Sequence, residues 1–382
     1  MRKFCTDEPR QLCAMAGDTA PPDPAHSAAP ASMWQSAQQK LALTIIMAQL
    51  IGPFIYWPVS LLLAYKSTFM MGFMAAYLVY IFVLDNTAHM QPQGSAPIRS
   101  LKFWRHLADY FPAKLHKTAD LDPSGNYIFA AHPHGVACMS HTANFLTEAS
   151  GFSKLYPGIS LYPLLLDSHF FAPFHREIAL RSGFRGISRQ SCLNLLTARA
   201  GSAVFLVPGG AAEALLSQPG TCDLIMMKRK GIMRVALQTG ASLVPVLAFG
   251  ETSLFDVAEP KPGSFIATCQ QLIRRLTGFA IPLIHGEGFW PNAKAFAPLP
   301  RALPVHTVVG APLPVKRWQG SRDGPEFTAA VDALHAEYCQ ALKALWNTHK
   351  DTYAPKAPPG TPASVLSNGS VCYRRKSLEF VQ

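Results

Sequence analysis

Apolar positions along this chain change their pattern near residue 85. Residues 41–63 carry no charge, and 69–84 form a second uncharged apolar run. At 1.5 Å per residue the first run would span roughly 34 Å, enough to cross a bilayer core, while the second is near the lower length limit. Gly52-Pro53 and Pro58 predict kinks in the first run. The short link Tyr65-Lys66-Ser67-Thr68 makes the two runs a membrane hairpin; a buried soluble helical hairpin is the bland alternative. Lys40 precedes the hairpin and Arg99, Lys102 and Arg105 follow it, with Lys66 alone at the tip. The positive-inside rule then puts both ends in the cytosol.

Beyond residue 85, the short apolar runs 127–131, 203–207, 242–248 and 305–309 read as buried strands. Helical stretches at 187–200 and 231–239 lie between them, so strands and helices alternate as in an α/β domain. A helix over 326–349 places Val331, Leu334, Tyr338, Leu342 and Leu345 on one face, a spacing that predicts core packing. The expected organisation is a disordered tail over 1–39, a membrane-embedded helical hairpin over 40–85, a cytosol-facing α/β domain over 86–350 and a flexible tail over 351–382.

Composition sharpens this. Only 15% of residues are charged, against about 25% in an ordinary soluble protein, and 49% are hydrophobic. The excess of 34 Lys and Arg over 23 Asp and Glu suits an anionic membrane surface or a phosphate-bearing substrate. No long basic stripe with interleaved aromatics supports nucleic acid as a partner. The eight cysteines are scattered without a CxxC, which gives a zinc site no support and fits free thiols in a reducing compartment.

Two strand ends carry candidate chemistry. The run 127–131 leads into His132-Pro133-His134-Gly135, placing two imidazoles at the edge where open α/β sheets gather their sites. Histidine is the usual general base near neutral pH. A packed turn, or a metal pair without a third ligand, are the alternatives. The run 203–207 leads into Pro208-Gly209-Gly210-Ala211-Ala212-Glu213, where glycine amides could face a developing oxyanion and Glu213 could position a histidine or a substrate hydroxyl. A tight strand–helix turn explains the same residues. Lys228-Arg229-Lys230 and the set Arg176, Arg181, Arg185 and Arg189 are candidate phosphate clusters or simply solvated faces. Tyr110-Phe111-Pro112 is an aromatic anchor or core turn.

In order and spacing these pieces resemble the type-two diacylglycerol acyltransferase family, which includes monoacylglycerol acyltransferases and some wax synthases. Tyr110-Phe111-Pro112, His132-Pro133-His134-Gly135, Gly209 to Leu215, Pro219-Gly220, Arg229-Lys230-Gly231, Gly240 to Glu251 and Val308 to Pro312 carry the resemblance over about residues 40–350. More remotely the domain looks like the glycerophosphate acyltransferases, with Gly186 to Arg189 and Val244-Pro245-Val246 as further matches. The resemblance implies an α/β fold like theirs, a mixed sheet flanked by helices with an N-terminal membrane helical hairpin. It implies an endoplasmic-reticulum enzyme, with a place at the lipid droplet surface, that moves a fatty acyl group from acyl-CoA to diacylglycerol. Monoacylglycerol or a fatty alcohol are alternative acceptors, and a non-catalytic membrane-anchored lipid-binding protein is the alternative of another class. Acyl-CoA is a co-substrate and no cofactor or metal is required; a homo-oligomer is compatible with the reading.

The roles that follow are expectations. His134 takes the acceptor proton, or His132 does so or orients substrate. Amides of Gly135, Gly209 or Gly210 hold the oxyanion, and Glu213 fixes the histidine tautomer. Tyr110, Phe111, Pro112, Arg189, Arg229 and Lys230 bind substrate or CoA. Three departures stand out: Met139 replaces the acid that follows the histidine in glycerophosphate acyltransferases, Ile232 replaces a phenylalanine, and Glu287 replaces an arginine in His285-Gly286-Glu287-Gly288.

Overall fold

The computed structural model describes residues 32–90, 97–258, 260–279, 281–288, 297–354 and 378–381. The tail expected to be disordered lies mostly outside them. Its end does not: Ser32 caps a helix, α1 (Met33–Leu50), in a capping box with Gln35, so the expected boundary at residue 39 falls inside that helix. The hairpin follows as α2 (Gly52–Lys66) and α3 (Thr68–Val79), the latter prolonged by a π-helical turn, Tyr80–Leu84.

The first apolar run is not one straight span. α1 and α2 meet at 74°, because Gly52-Pro53 interrupts the hydrogen-bond ladder there, whereas Pro58 is carried inside α2. Thr68–His89 is long and apolar enough to cross a membrane and is largely unburied. α1 instead buries Ala42 and Leu43 against Leu107, Tyr110 and Phe111.

The domain then runs α4 (Arg105–Tyr110), β1 (Lys114–Lys117), β2 (Tyr127–His132), α5 (Met139–His141), α6 (Phe152–Leu155), β3 (Ser160–Leu165), α7 (His175–Arg181), β4 (Arg185–Gly186), α8 (Arg189–Thr197), β5 (Ser202–Leu206), α9 (Ala211–Ala214), β6 (Asp223–Ile225), α10 (Gly231–Thr239), β7 (Ser242–Phe249), β8 (Asp256–Ala258), α11 (Phe265–Thr277), β9 (Leu283–His285), β10 (His306–Val309) and α12 (Pro325–Tyr353). Seven strands form one mixed sheet in the order β1-β10-β7-β2-β5-β3-β4. β7, β2, β5 and β3 are parallel, and β10 is antiparallel to β7. β2 and β5 are buried throughout, which is why they read as unbroken apolar runs rather than alternating ones.

One face of the sheet is covered by α8, α10 and α12, where Leu195, Met233, Leu237, Val331, Tyr338 and Leu342 meet Ile128 and Leu243. The other face packs Phe129 and Phe205 on Phe145, Phe152 and Tyr156. α10 ends at Gly240, whose φ of +78° suits the left-handed cap. The chain end differs from expectation: Leu378 is buried and β11 (Glu379–Val381) pairs in parallel with β6.

Candidate active site

β2 delivers the histidine turn to the C-terminal edge of the sheet, at the centre of the strand order. His132 is its last residue, in register with Leu247 of β7, and the His132–Pro133 peptide is cis. The His132 ring is fully buried and its Nε2 lies 3.0 Å from the Tyr338 hydroxyl, which donates to the Ala130 carbonyl at 3.1 Å. Tyr338 therefore accepts from Nε2–H. Burial pushes His132 down to about 3, so it is neutral. The His132 ring is thus sealed beneath the turn and tied to α12 through Tyr338.

His134 is half-buried and differently held. Its Nδ1 is 2.9 Å from the Gly135 carbonyl, which can only accept, so Nδ1 carries the proton and Nε2 keeps its lone pair. No bond to Nε2 is made among the described residues. Burial lowers the imidazole from its ordinary value, and the Gly135 carbonyl opposes this in part.

Two buried carboxylates clamp the backbone around it. Glu213 Oε2 accepts from the His134 N–H at 2.9 Å and Oε1 from the Ile225 N–H at 2.8 Å. The expected triad-like contact of Glu213 with the ring is thus replaced by one with the main chain. Burial raises Glu213 to about 7, opposed by the two amides and Arg229. Glu251, which gave no signal in the sequence beyond its motif, accepts from the Met139 and Ser140 amides at 2.9 and 2.7 Å. His141 Nε2 reaches the Pro133 carbonyl at 2.8 Å.

These clamps explain two glycines. A Cβ on Gly135, which has φ +60°, would lie 2.5 Å from the Glu251 side chain. One on Gly209 would lie 1.8 Å from the Glu213 carboxyl carbon. Both glycines make room for a carboxylate. The Gly210 amide is already bonded to the Val207 carbonyl, which removes it from the expected oxyanion donors.

A cavity of about 750 Å³ opens beside the loop. Val207, Pro208, Gly210, Ala211 and Ala212 line it with Ile128, Val204 and Leu206, and Arg189, Lys228, Arg229, Arg234 and Arg274 bring five cations. Arg189 bonds Gln238 at 2.6 Å and Arg229 the Gly209 carbonyl at 3.2 Å. Lys230 is not in this group: it pairs with Asp332 at 2.7 Å. Arg176 and Arg185 are also elsewhere, Arg176 paired with Asp85 and Arg185 bonded to main-chain carbonyls. Lys228 comes from the basic cluster expected to hold phosphate, whereas Arg234 and Arg274 carried no signal in the sequence. Their convergence from separate elements leaves no local signature.

A second, apolar cavity of about 140 Å³ lies between α1 and the domain, lined by Ile45, Ile46, Leu50, Ala137, Leu146 and Ile178 among others. His134 lines neither cavity, but its clamp Glu213 follows the loop of one and Ala137, three residues on, lines the other.

Tyr110 and Phe111 are core residues and line neither of these cavities. The Tyr110 hydroxyl donates to the Pro300 carbonyl at 2.6 Å and lies 3.3 Å from Glu287 Oε2. Pro112, which follows Phe111, is exposed and lines neither cavity. Glu287 thus anchors the aromatic turn to the loop before β10. Among the described residues no three His, Cys, Asp or Glu converge on a metal position.

The diacylglycerol acyltransferase family profile matches residues 62–358. Diacylglycerol O-acyltransferase 2B of Umbelopsis ramanniana is 38% identical over 278 residues, 73% of this chain and 78% of that protein. The 2-acylglycerol O-acyltransferase 3 of Homo sapiens is 39% identical over 315 residues, 82% and 88% of the two chains. The crystal structure of the Thermotoga maritima 1-acyl-sn-glycerophosphate acyltransferase overlaps with a TM-score of 0.33 at 11% identity, covering 81% of this chain and 98% of that one. The fold described above rests on strand order and not on that overlap.

Proposed function

The chain belongs to the diacylglycerol acyltransferase family, and from that premise we propose that it transfers a fatty acyl group from acyl-CoA to the free hydroxyl of diacylglycerol, giving triacylglycerol and CoA. The observation that carries the mechanism is the His134 ring, held by the Gly135 carbonyl with Nε2 open. Nε2 removes the hydroxyl proton as the alkoxide oxygen attacks the thioester carbonyl. The tetrahedral oxyanion then collapses, the C–S bond breaks, and the proton passes from the imidazolium to the thiolate. A thiol of pKa about 8.5 leaves with little assistance. The Gly135 and Gly209 amides, without a partner among the described residues, are the donors proposed for the oxyanion.

The five-cation cavity suits the phosphates of CoA, and the apolar cavity at α1 suits an acyl chain. The hairpin is read as embedded in the endoplasmic-reticulum membrane with the domain on the cytosolic side. A lipid droplet surface would suit the same hairpin.

Monoacylglycerol is the second reading, favoured by the similarity to the human 2-acylglycerol enzyme over 82% of this chain. The test supplies labelled oleoyl-CoA with diacylglycerol, monoacylglycerol or a fatty alcohol to membranes lacking neutral-lipid synthesis. Triacylglycerol made by the parent chain and not by equally expressed His134→Ala is the expected result. Product from another acceptor alone would move the substrate, and no product from any acceptor would overturn the assignment.

A further inference from the structure

α11 turns its apolar side outward. Phe265 is 83% exposed, Leu272 54% and Leu276 76%, and at 100° per residue the three share one stripe. Toward the protein, Gln270 is buried and donates to the Ile281 carbonyl at 2.8 Å, with Ala267, Cys269 and Ile273 partly buried, and the exposed Arg274 lines the cationic cavity. A surface helix of a soluble domain has the opposite arrangement.

Two further observations say what covers this face. Phe279, two residues past the helix, packs edge-on against Phe54 of α2 at 5.2 Å, so the exposed stripe continues into the apolar hairpin. The helix FIATCQQLIRRLT has no acidic residue, and Arg275 is exposed with Lys261 just before it. We propose that α11 lies in the surface of an anionic phospholipid leaflet. Its apolar stripe enters the acyl boundary while Arg275 and Lys261 stay among the headgroups. Through Arg274 and Gly278 this docking sets the mouth of the cationic cavity at the lipid surface. A water-soluble acyl-CoA and a lipid-dissolved acceptor then meet at one rim. The inference rests on the membrane reading of the hairpin.

The test uses the full chain in vesicles of phosphatidylcholine and phosphatidylserine containing spin-labelled lipid. A fluorescent maleimide is read at Leu276→Cys, at Gln271→Cys on the polar flank and at Leu61→Cys in the hairpin, each against the unsubstituted labelled chain. Quenching at 276 and 61 that exceeds that at 271 by about twofold or more is expected, as is a drop at 276 when phosphatidylserine is left out. Quenching at 61 with none at 276 overturns the inference and leaves the hairpin reading standing. No quenching at either position overturns both. Concentration-dependent shielding of 276 in the absence of lipid would assign the face to a second copy of the chain and overturn the lipid proposal.

Discussion

At His134 the sequence pattern and the geometry converge on one nitrogen. His134→Ala should lower kcat by a factor of about 10²–10⁴ with little change in Tm; full turnover in folded protein would refute it. Because burial holds this imidazole below its usual 6.5, it is neutral at pH 7, as the proposed base has to be. The acid limb of kcat/KM should therefore lie below pH 6.5, and a limb centred above pH 7 would contradict the assignment. Glu213 has the opposite sign. Its folded value, about 7, is above the ordinary 4.5, so the proton favours the native state. That contribution is whole below pH 4.5 and is lost as pH rises through 7. Glu213→Gln should flatten the fall in stability between those limits, measured by thermal melts across the range.

Elements hold these residues more than their neighbours in sequence do. α12 supplies Tyr338, 206 residues from the histidine whose Nε2–H it accepts. Tyr338→Phe leaves that buried donor unmatched and should cost about 1–3 kcal/mol in denaturant unfolding. An unchanged midpoint would show that the bond contributes nothing. β11 acts at one further remove. It pairs with β6, whose Ile225 amide binds Glu213. Leu378→Ala should cost about 2 kcal/mol or more and, by loosening β6, reduce kcat beyond what the lost stability explains. Normal turnover at a temperature where the variant is fully folded would separate the strand from the site.

For the whole molecule, the governing feature is the division of chemistry between two sides: a five-cation cavity at the sheet edge and apolar helices at the N-terminal side. Arg229→Ala should raise KM for acyl-CoA several-fold while leaving KM for an acyl-pantetheine thioester, which lacks the nucleotide phosphates, nearly unchanged. Equal effects on both substrates would remove Arg229 from phosphate contact. The excess positive charge also predicts that added salt raises KM for acyl-CoA more than for the uncharged acceptor.

Much of this was legible from residue order alone. Central parallel strands are buried on both faces, so β2, β5 and β7 announce themselves as continuous apolar runs ending in His132 to Gly135 and Pro208 to Gly210. The limits of α10, 231–239, follow from its apolar period and the glycine after it. The sequence favoured His134 over His132 as the base but did not reveal their different surroundings, since the two have the same chemistry and differ in what closes over them. The partners of Glu213 and Glu251 were equally hidden, since a carboxylate's choice between a ring and an amide depends on distances set by other elements. The same holds for the cavity cations: Lys230 stands beside Arg229 in sequence, yet points to Asp332. Local order determined the strands, helices and motif residues. Long-range packing alone decided burial and hydrogen-bond partner, because both depend on elements far apart in the chain.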